Sequence, residues 1–184
     1  MFDKKMPTSL QPTVIVLASG RGERFIASGG QVHKLQALLG GKKIIDWTLA
    51  AVHASGLPWH LEDAGHPGMG DSIAAAVLAT QNANGWLILP ADLPLIKPAT
   101  LLAVAQGLQT TAACYPAHLG QRGHPIGFSA QLGPELLKLQ GNHGAVQVFT
   151  AQAAMKIIVN DVGCVTDIDT LQDLEKAQIL LRGM

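Results

Sequence analysis

A continuous run of apolar residues close to the start of the chain, residues 13–18, most constrains the fold. Most of these residues are β-branched, a pattern typical of a strand buried on both faces of a parallel sheet. A glycine-rich loop at residues 19–30 follows directly, and a second apolar run, residues 86–89, leads into a loop at residues 90–94. Because ligands bind at the carboxyl ends of parallel strands, we expect the functional site at these two loops.

Segments with helical spacing of apolar residues alternate with further short apolar runs. Helices are predicted at residues 44–54, 73–80, 100–107, 134–139 and 171–181, and additional strands at residues 59–61, 111–115, 126–129 and 156–159. Asp71 or Ser72 is expected to cap the second of these helices, and Asp169 or Thr170 the last. The alternation predicts a single α/β domain with a mostly parallel sheet.

Composition narrows the classes of partner. Of 184 residues, 48% are hydrophobic and 14% charged, and thirteen basic residues balance thirteen acidic ones. This predicts a sizeable core and disfavours nucleic acid or an anionic membrane as a partner. Residues 1–12 lack the apolar core of a signal peptide, and Cys114 and Cys164 have no metal-ligand spacing. We therefore expect a cytoplasmic protein with a flexible extension at residues 1–12 and one domain at residues 13–184.

The glycine-rich loop carries the first candidate binding residues. Gly20 and Gly22 permit a tight turn that directs backbone N–H groups toward an anion. Arg21 and Arg24 are donors suited to phosphate, and Lys34 adds a mobile positive charge. A glycine-rich turn with solvated arginines is the alternative. The position after the first strand and the three cations favour phosphate binding.

Acidic residues after two other strands are candidate metal ligands. Asp92 follows the second apolar run, where a carboxylate either binds Mg²⁺ together with phosphate oxygens or caps the helix that follows. Asp167 and Asp169 flank a single residue, so in an extended segment they share a face. Because Asp169 or Thr170 is expected to cap the last helix, Asp167 is the better candidate for a second ligand.

These segments together resemble the MobA-like nucleotidyltransferase family, and within it the molybdenum cofactor cytidylyltransferase branch most closely. Leu-Ala-Ser-Gly-Arg-Gly-Glu-Arg-Phe at residues 17–25, followed by Lys34, is similar to the family's Leu-Ala-Ala/Gly-Gly-x-x-x-Arg-Met/Phe…Lys. The other motifs, in the family's order, are Gly-Met-Gly-Asp-Ser-Ile at residues 68–73, Ala-Asp-Leu-Pro at 91–94, Arg-Gly-His-Pro at 122–125, Gly-Asn-His-Gly-Ala at 141–145 and Asp-Ile-Asp-Thr-Leu-Gln-Asp-Leu at 167–174.

The resemblance implies a Rossmann-like nucleotidyltransferase fold with helices on both faces of the sheet. It implies Mg²⁺-dependent transfer of a nucleotidyl group from an NTP, CTP in this branch, to a phosphorylated acceptor, with release of pyrophosphate. The acceptor in this branch is a molybdopterin-type molybdenum cofactor, and a xanthine-dehydrogenase-type molybdoenzyme uses the product.

The same resemblance assigns roles to residues of this chain. Arg24, Lys34 and Asp92 would be catalytic, and Asp92 and Asp167 would hold the metal. Arg122 and His124 would face the acceptor. The expected substrate-binding residues are Leu17, Ala18, Ser19, Gly20, Arg21, Gly22, Gly70, Ser72, Arg122 and His124.

Two departures from the family pattern keep other functions open. Residues 55–68 leave room for one strand where the family has two, and Asn142 stands where the family has an acid. The alternatives are guanylyl transfer, nucleotidyl transfer to a sugar phosphate, or a non-catalytic protein that binds and delivers a nucleotide or the molybdenum cofactor.

Overall fold

The computed structural model describes residues 11–150 and 153–183. Most of the expected N-terminal extension, residues 1–10, lies outside this range. The strands are β1 (Thr13–Leu17), β2 (Leu38–Leu39), β3 (Lys42–Lys43), β4 (Trp59–Glu62), β5 (Gly85–Pro90), β6 (Ala113–His118), β7 (Gln121–Arg122), β8 (Ile126–Ser129) and β9 (Met155–Ile158). The helices are α1 (Glu23–Ala27), α2 (Ile44–Ser55), α3 (Met69–Ala79), α4 (Pro98–Gly107), α5 (Gly133–Leu136), α6 (Val146–Thr150) and α7 (Leu171–Arg182).

Seven of these strands form one sheet in the order β4-β1-β5-β8-β6-β7, with β9 paired to β6. β1 pairs in parallel with β4 and β5, and β6 pairs in parallel with β9. β8 runs antiparallel between β5 and β6. The mostly parallel sheet predicted from the sequence is confirmed, and β1 lies inside it with a strand on each side.

The sheet is covered on both faces, and its strands β1 and β5 are buried at every position but the last. Val14 and Val16 belong to one buried cluster, whereas Ile15 belongs to the other. The first cluster includes residues of α2, α4 and α7, and the second includes residues of α3, α5 and α6. Successive side chains of a strand point to opposite faces, so this run of small apolar residues fixes a three-layer α/β domain.

The N-terminus of α3 differs from the sequence prediction that Asp71 or Ser72 caps this helix. The helix begins at Met69 with Gly68 as its N-cap, so Asp71 and Ser72 are not its caps. The side chain of Ser72 instead donates to the Gly68 carbonyl, and Asp71 accepts from the Gly141 backbone N–H. A Cβ on Gly68 would lie 2.1 Å from the Gly141 carbonyl oxygen. Only glycine fits this approach between two loops.

The N-terminus of α7 agrees with one of the two expected caps. The Thr170 hydroxyl accepts from the Asp173 N–H, and the Asp173 carboxylate accepts in return from the Thr170 N–H. This reciprocal capping box fixes where the helix begins. Asp169 is therefore left outside the helix, free to point elsewhere. Within residues 11–150 and 153–183, the helices are too short or too polar to cross a membrane.

Candidate active site

An open cavity of about 840 Å³ lies at the carboxyl ends of β1 and β5. The loop after β1, the segment before α3 and the loop after β5 supply much of its wall, together with His124, Asn142 and residues 167 and 169. This is the edge at which the sequence predicts the site, because both loops leave parallel strands there.

The loop after β1 is held in a tight turn that faces the cavity. Gly22 has φ 67°, a left-handed conformation that glycine adopts without strain, and it directly precedes α1. The Leu35 N–H donates to His33 Nδ1, so Nε2 carries the proton and donates to the Gly20 carbonyl at 2.7 Å. His33 thus ties the glycine loop to the segment that carries Lys34. The space next to Gly20 is open.

Four charged side chains that line the cavity, from distant parts of the chain, contact one another. Lys34 Nζ lies 2.6 Å from Asp92 Oδ2 and 2.8 Å from Asp169 Oδ1. The second oxygen of Asp169 forms an ion pair with the Arg24 guanidinium. Burial acts to lower the pKa of Lys34, but the two carboxylates outweigh this and raise the pKa above its usual value. The ammonium group is therefore charged at neutral pH.

A backbone hydrogen bond brings the two acidic segments together. The Ile168 N–H donates to the Asp92 carbonyl at 3.0 Å, and the Ile168 side chain is fully buried. Asp167 and Asp169, on either side of it, both line the cavity. This is the shared face that the sequence predicts for this pair. Asp169 contacts the two cations, whereas Asp167 is exposed.

One oxygen of the Asp92 carboxylate is buried without a hydrogen-bond partner. Asp92 as a whole residue is 9% exposed, and its Oδ1 atom has no partner among the described residues. A buried polar atom without a partner costs about 1–3 kcal/mol, so native structures rarely leave one. A buried carboxylate oxygen of this kind at a cavity is suited to a cation that enters with a ligand.

His124 is the other polar group at the cavity with an unmet hydrogen-bonding atom. Its Nδ1 is buried and has no partner in the described part of the chain. Burial lowers its pKa, and this effect prevails over the opposing charges of Asp92 and Asp167. The ring is therefore neutral near pH 7, able to accept or donate a single hydrogen bond.

Contacts of Ser72 and Gly70 hold helix α3 against the loops beside the cavity. Ser19 Oγ and Ser72 Oγ are 2.7 Å apart and join the glycine loop to α3. A Cβ on Gly70 would lie 2.6 Å from the His143 carbonyl oxygen, so this glycine packs helix α3 against the loop at residues 141–144.

Sequence comparison assigns the chain to a family. A model of the MobA-like NTP transferase domain matches residues 50–156, more than half of the chain. The chain belongs to this family. No curated protein matches the chain.

Solved structures share the fold of this MobA-like protein at low identity. The manganese complex of Rv0371c from Mycobacterium tuberculosis is 20% identical, with a TM-score of 0.71 over 92% of this chain and 98% of that one. Molybdopterin-guanine dinucleotide biosynthesis protein A from Archaeoglobus fulgidus is 20% identical, with a TM-score of 0.68 over 94% and 100%. A 2-C-methyl-D-erythritol 4-phosphate cytidylyltransferase from Thermus thermophilus is 18% identical, with a TM-score of 0.67 over 94% and 99%.

The structure groups most, but not all, of the expected site residues of this MobA-like protein. Those that line the cavity are Leu17, Ser19, Gly20, Arg21, Gly22, Arg24, Lys34, Asp92, His124 and Asp167. The Ser72 hydroxyl contacts the hydroxyl of Ser19, which lines the cavity. Ala18, Gly70 and Arg122 are not among the described residues that line the cavity. The Arg122 guanidinium instead lies over the Phe149 ring, 5.1 Å from its centroid.

Sequence reasoning missed two residues at this site. The sequence places Asp169 on the same face as Asp167, but Asp167 is the preferred ligand there because Asp169 or Thr170 is expected to cap the last helix, and no contact of Asp169 with Arg24 or Lys34 is predicted. His33 carries no sequence signal beyond its position next to Lys34. Its role depends on a contact with Gly20, 13 residues away, which only the folded loop reveals.

Proposed function

We propose that this protein transfers the cytidylyl group of CTP to the phosphate of a molybdopterin-type molybdenum cofactor and releases pyrophosphate. The observation that carries the proposal is the cluster of Arg24, Lys34 and Asp92 in the lining of a cavity that a glycine-rich loop also lines. A xanthine-dehydrogenase-type molybdoenzyme would receive the product.

The reaction needs charge neutralisation and alignment more than proton transfer. An oxygen of the acceptor phosphate attacks the α-phosphorus of the nucleotide, and the bond from this phosphorus to the bridging oxygen breaks. Pyrophosphate leaves with the bonding electrons. Since the acceptor is already anionic, positioning and electrostatic stabilisation supply most of the rate.

Backbone groups and several side chains at the cavity would contribute to that step. Backbone N–H groups at residues 19–22 would bind the nucleotide phosphates, and Arg21 would add a donor at the cavity rim. Arg24 and Lys34 would stabilise the charge that accumulates on the departing pyrophosphate. The neutral ring of His124 would donate or accept one hydrogen bond with the acceptor.

The acidic residues fit a divalent cation such as Mg²⁺. The unpaired Oδ1 of Asp92 would be the first ligand, with Asp167 as a second. Among the described residues no group of three His, Cys, Asp or Glu side chains is arranged to hold a metal. This donor set suits Mg²⁺, which takes one or two carboxylates and completes its shell with phosphate oxygens and water. When bound, the cation would neutralise phosphate charge.

The choice of CTP and of the acceptor rests on the motifs and on two structural neighbours. One neighbour is a 2-C-methyl-D-erythritol 4-phosphate cytidylyltransferase, and another is a molybdopterin-guanine dinucleotide biosynthesis protein. They differ in the base, so guanylyl transfer is the nearest competing reaction. Transfer to a sugar phosphate keeps the same cavity chemistry with another acceptor.

One observation favours a second candidate function, nucleotide or cofactor delivery without catalysis. Asn142 lines the cavity at a position where the family motif has an acid. An amide binds Mg²⁺ less strongly than a carboxylate, so this position contributes less to a metal site.

Calorimetry with each of the four common NTPs, with and without Mg²⁺, tests the proposal when paired with pyrophosphate release on the molybdenum cofactor. We expect Mg²⁺-dependent binding of CTP and pyrophosphate release that requires the acceptor. Preferential binding and turnover of GTP would assign guanylyl transfer instead. Nucleotide binding without pyrophosphate release would favour the delivery function and reject the transferase.

A further inference from the structure

The two cations proposed to bind phosphate, Arg24 and Lys34, are already paired with carboxylates of this protein. Lys34 contacts Asp92 and Asp169, and Arg24 contacts the other oxygen of Asp169. Two cations are thus matched by two carboxylates within contact distance. A phosphate group that approached Lys34 and Arg24 would meet the negative charge of Asp169 at the same place.

Asp169 differs from Asp92 in what it binds and how it is held. The Asp92 side chain is nearly buried and keeps a free oxygen for another ligand. Asp169 is 31% exposed and uses both oxygens, one for each cation, much as a phosphate group would. It also lies just outside α7, since Thr170 caps that helix, so its side chain can leave the cations without breaking the helix.

We infer that Asp169 is an internal counter-ion that occupies the pyrophosphate position on Arg24 and Lys34. Because Asp169 holds this position, the cavity has a lower affinity for phosphate ligands that arrive without a divalent cation. A metal-free polyphosphate must displace Asp169 and then lie beside its charge. A polyphosphate that carries a divalent cation brings a positive charge that offsets the displaced carboxylate. The inference rests on the proposed function only in assigning Arg24 and Lys34 to phosphate.

The competing explanation is that Asp169 only stabilises the fold. Ion pairs with exposed partners contribute little to stability, and the Arg24 side chain is 79% exposed. A structural role predicts that loss of the charge lowers the melting temperature and leaves phosphate affinity unchanged or weaker. A counter-ion role predicts the opposite change in affinity, because removal of a like charge strengthens anion binding.

The test is calorimetric binding of inorganic pyrophosphate in EDTA by the wild-type protein and the Asp169→Asn variant. We expect the variant to bind metal-free pyrophosphate about tenfold more tightly than the wild type, since one negative charge at the binding position is gone. Asp46→Asn is the matched control, because it removes the same charge from an exposed position on α2 that is not among the described residues lining the cavity. We expect it to change this affinity by no more than about twofold.

The outcomes separate this inference from the proposed function. If the wild type binds CTP with Mg²⁺ but Asp169→Asn gains no affinity for metal-free pyrophosphate, the inference is wrong and the proposed function stands. If the wild type binds no NTP but the variant gains affinity for pyrophosphate, the inference stands and the proposed function is wrong. An equal gain in Asp46→Asn would show a general charge effect and overturn the specific role of Asp169. Asp169→Ser serves as a second variant should the amide misfold.

Discussion

Lys34 and Asp92 are 58 residues apart in the sequence, yet Lys34 Nζ donates to Asp92 Oδ2 at 2.6 Å. Their side chains are 12% and 13% exposed. Removing two charges from water is costly, so a nearly buried pair is poor evidence of stabilisation alone. This pair also leaves Asp92 Oδ1 unpaired at a cavity. Together these features indicate that the pair is retained for what binds beside it.

Substitution Asp92→Asn is predicted to lower the rate of pyrophosphate release with Mg²⁺ by at least about a hundredfold. The amide keeps the shape of the side chain but removes the charge that pairs with Lys34 and the proposed metal ligand. Lys34 retains Asp169 as a partner, so the variant is expected to fold. A pyrophosphate assay with the molybdenum cofactor as acceptor measures the effect. Asp46→Asn, an exposed change on α2, is the matched control, and a near wild-type rate in Asp92→Asn would contradict the assignment.

Much of the fold was predictable because local pattern and tertiary burial agree. The runs in β1 and β5 are apolar at each successive position, which only a sheet covered on both faces can bury. Prediction failed at α3, where Asp71 and Ser72 have the side chains of typical caps. There Gly68 packs closely against Gly141, and the Gly70 N–H donates to the Gly141 carbonyl. No local sequence pattern reports contacts between residues so far apart in the chain.

The candidate site was partly predictable for a similar reason. Its first and third loops follow the parallel strands β1 and β5, and this position indicates two of the segments that line the cavity. The sequence could not decide whether Asp167 or Asp169 meets Lys34, since both face the same way. The hydrogen bond from Ile168 to Asp92 sets this register, and it forms only when the two segments pack together.

The stability of the protein is predicted to depend on His124 in mildly acidic solution. Burial lowers the folded-state pKa of His124 below its unfolded value, so the unfolded chain takes up the proton first as pH falls. The contribution of the neutral ring is complete above about pH 6.5, the unfolded value, and is lost as pH falls toward the folded-state pKa. Urea unfolding across this range should show a steeper loss for the wild type than for His124→Asn.

The control for this pH dependence is His53→Asn, which removes an exposed histidine. We expect the steeper loss to persist in His53→Asn, because His124 is intact there. A stability curve for His124→Asn that runs parallel to that of the wild type would show that His124 takes up its proton equally in both states, contrary to the structure.

Both cysteines are predicted to be unreactive in the folded protein. Cys114 and Cys164 are fully buried free thiols. Burial raises the pKa of Cys114 to about 12 and that of Cys164 to about 11, so thiolate is scarce at neutral pH. An Ellman titration should give almost no reaction with the native protein and both thiols in denaturant. Rapid reaction of one thiol before unfolding would reveal an opening of the core around it.

The substitution Thr170→Ala is predicted to lower the free energy of unfolding by about 1 kcal/mol near neutral pH, since it removes the cap of α7. The hydrogen bond from the Thr170 hydroxyl is the main reason that the pKa of Asp173 lies below its usual value. A carboxyl with a lowered folded-state pKa stabilises the fold above its unfolded pKa, and this contribution is lost as pH falls through the folded value. The difference between the wild type and Thr170→Ala should therefore shrink in strong acid. Urea unfolding near neutral pH and in strong acid measures this difference in the free energy of unfolding. Thr110→Ala is the control, because Thr110 is an exposed threonine outside a capping box. Equal losses in the two variants would mean that the box does not stabilise α7.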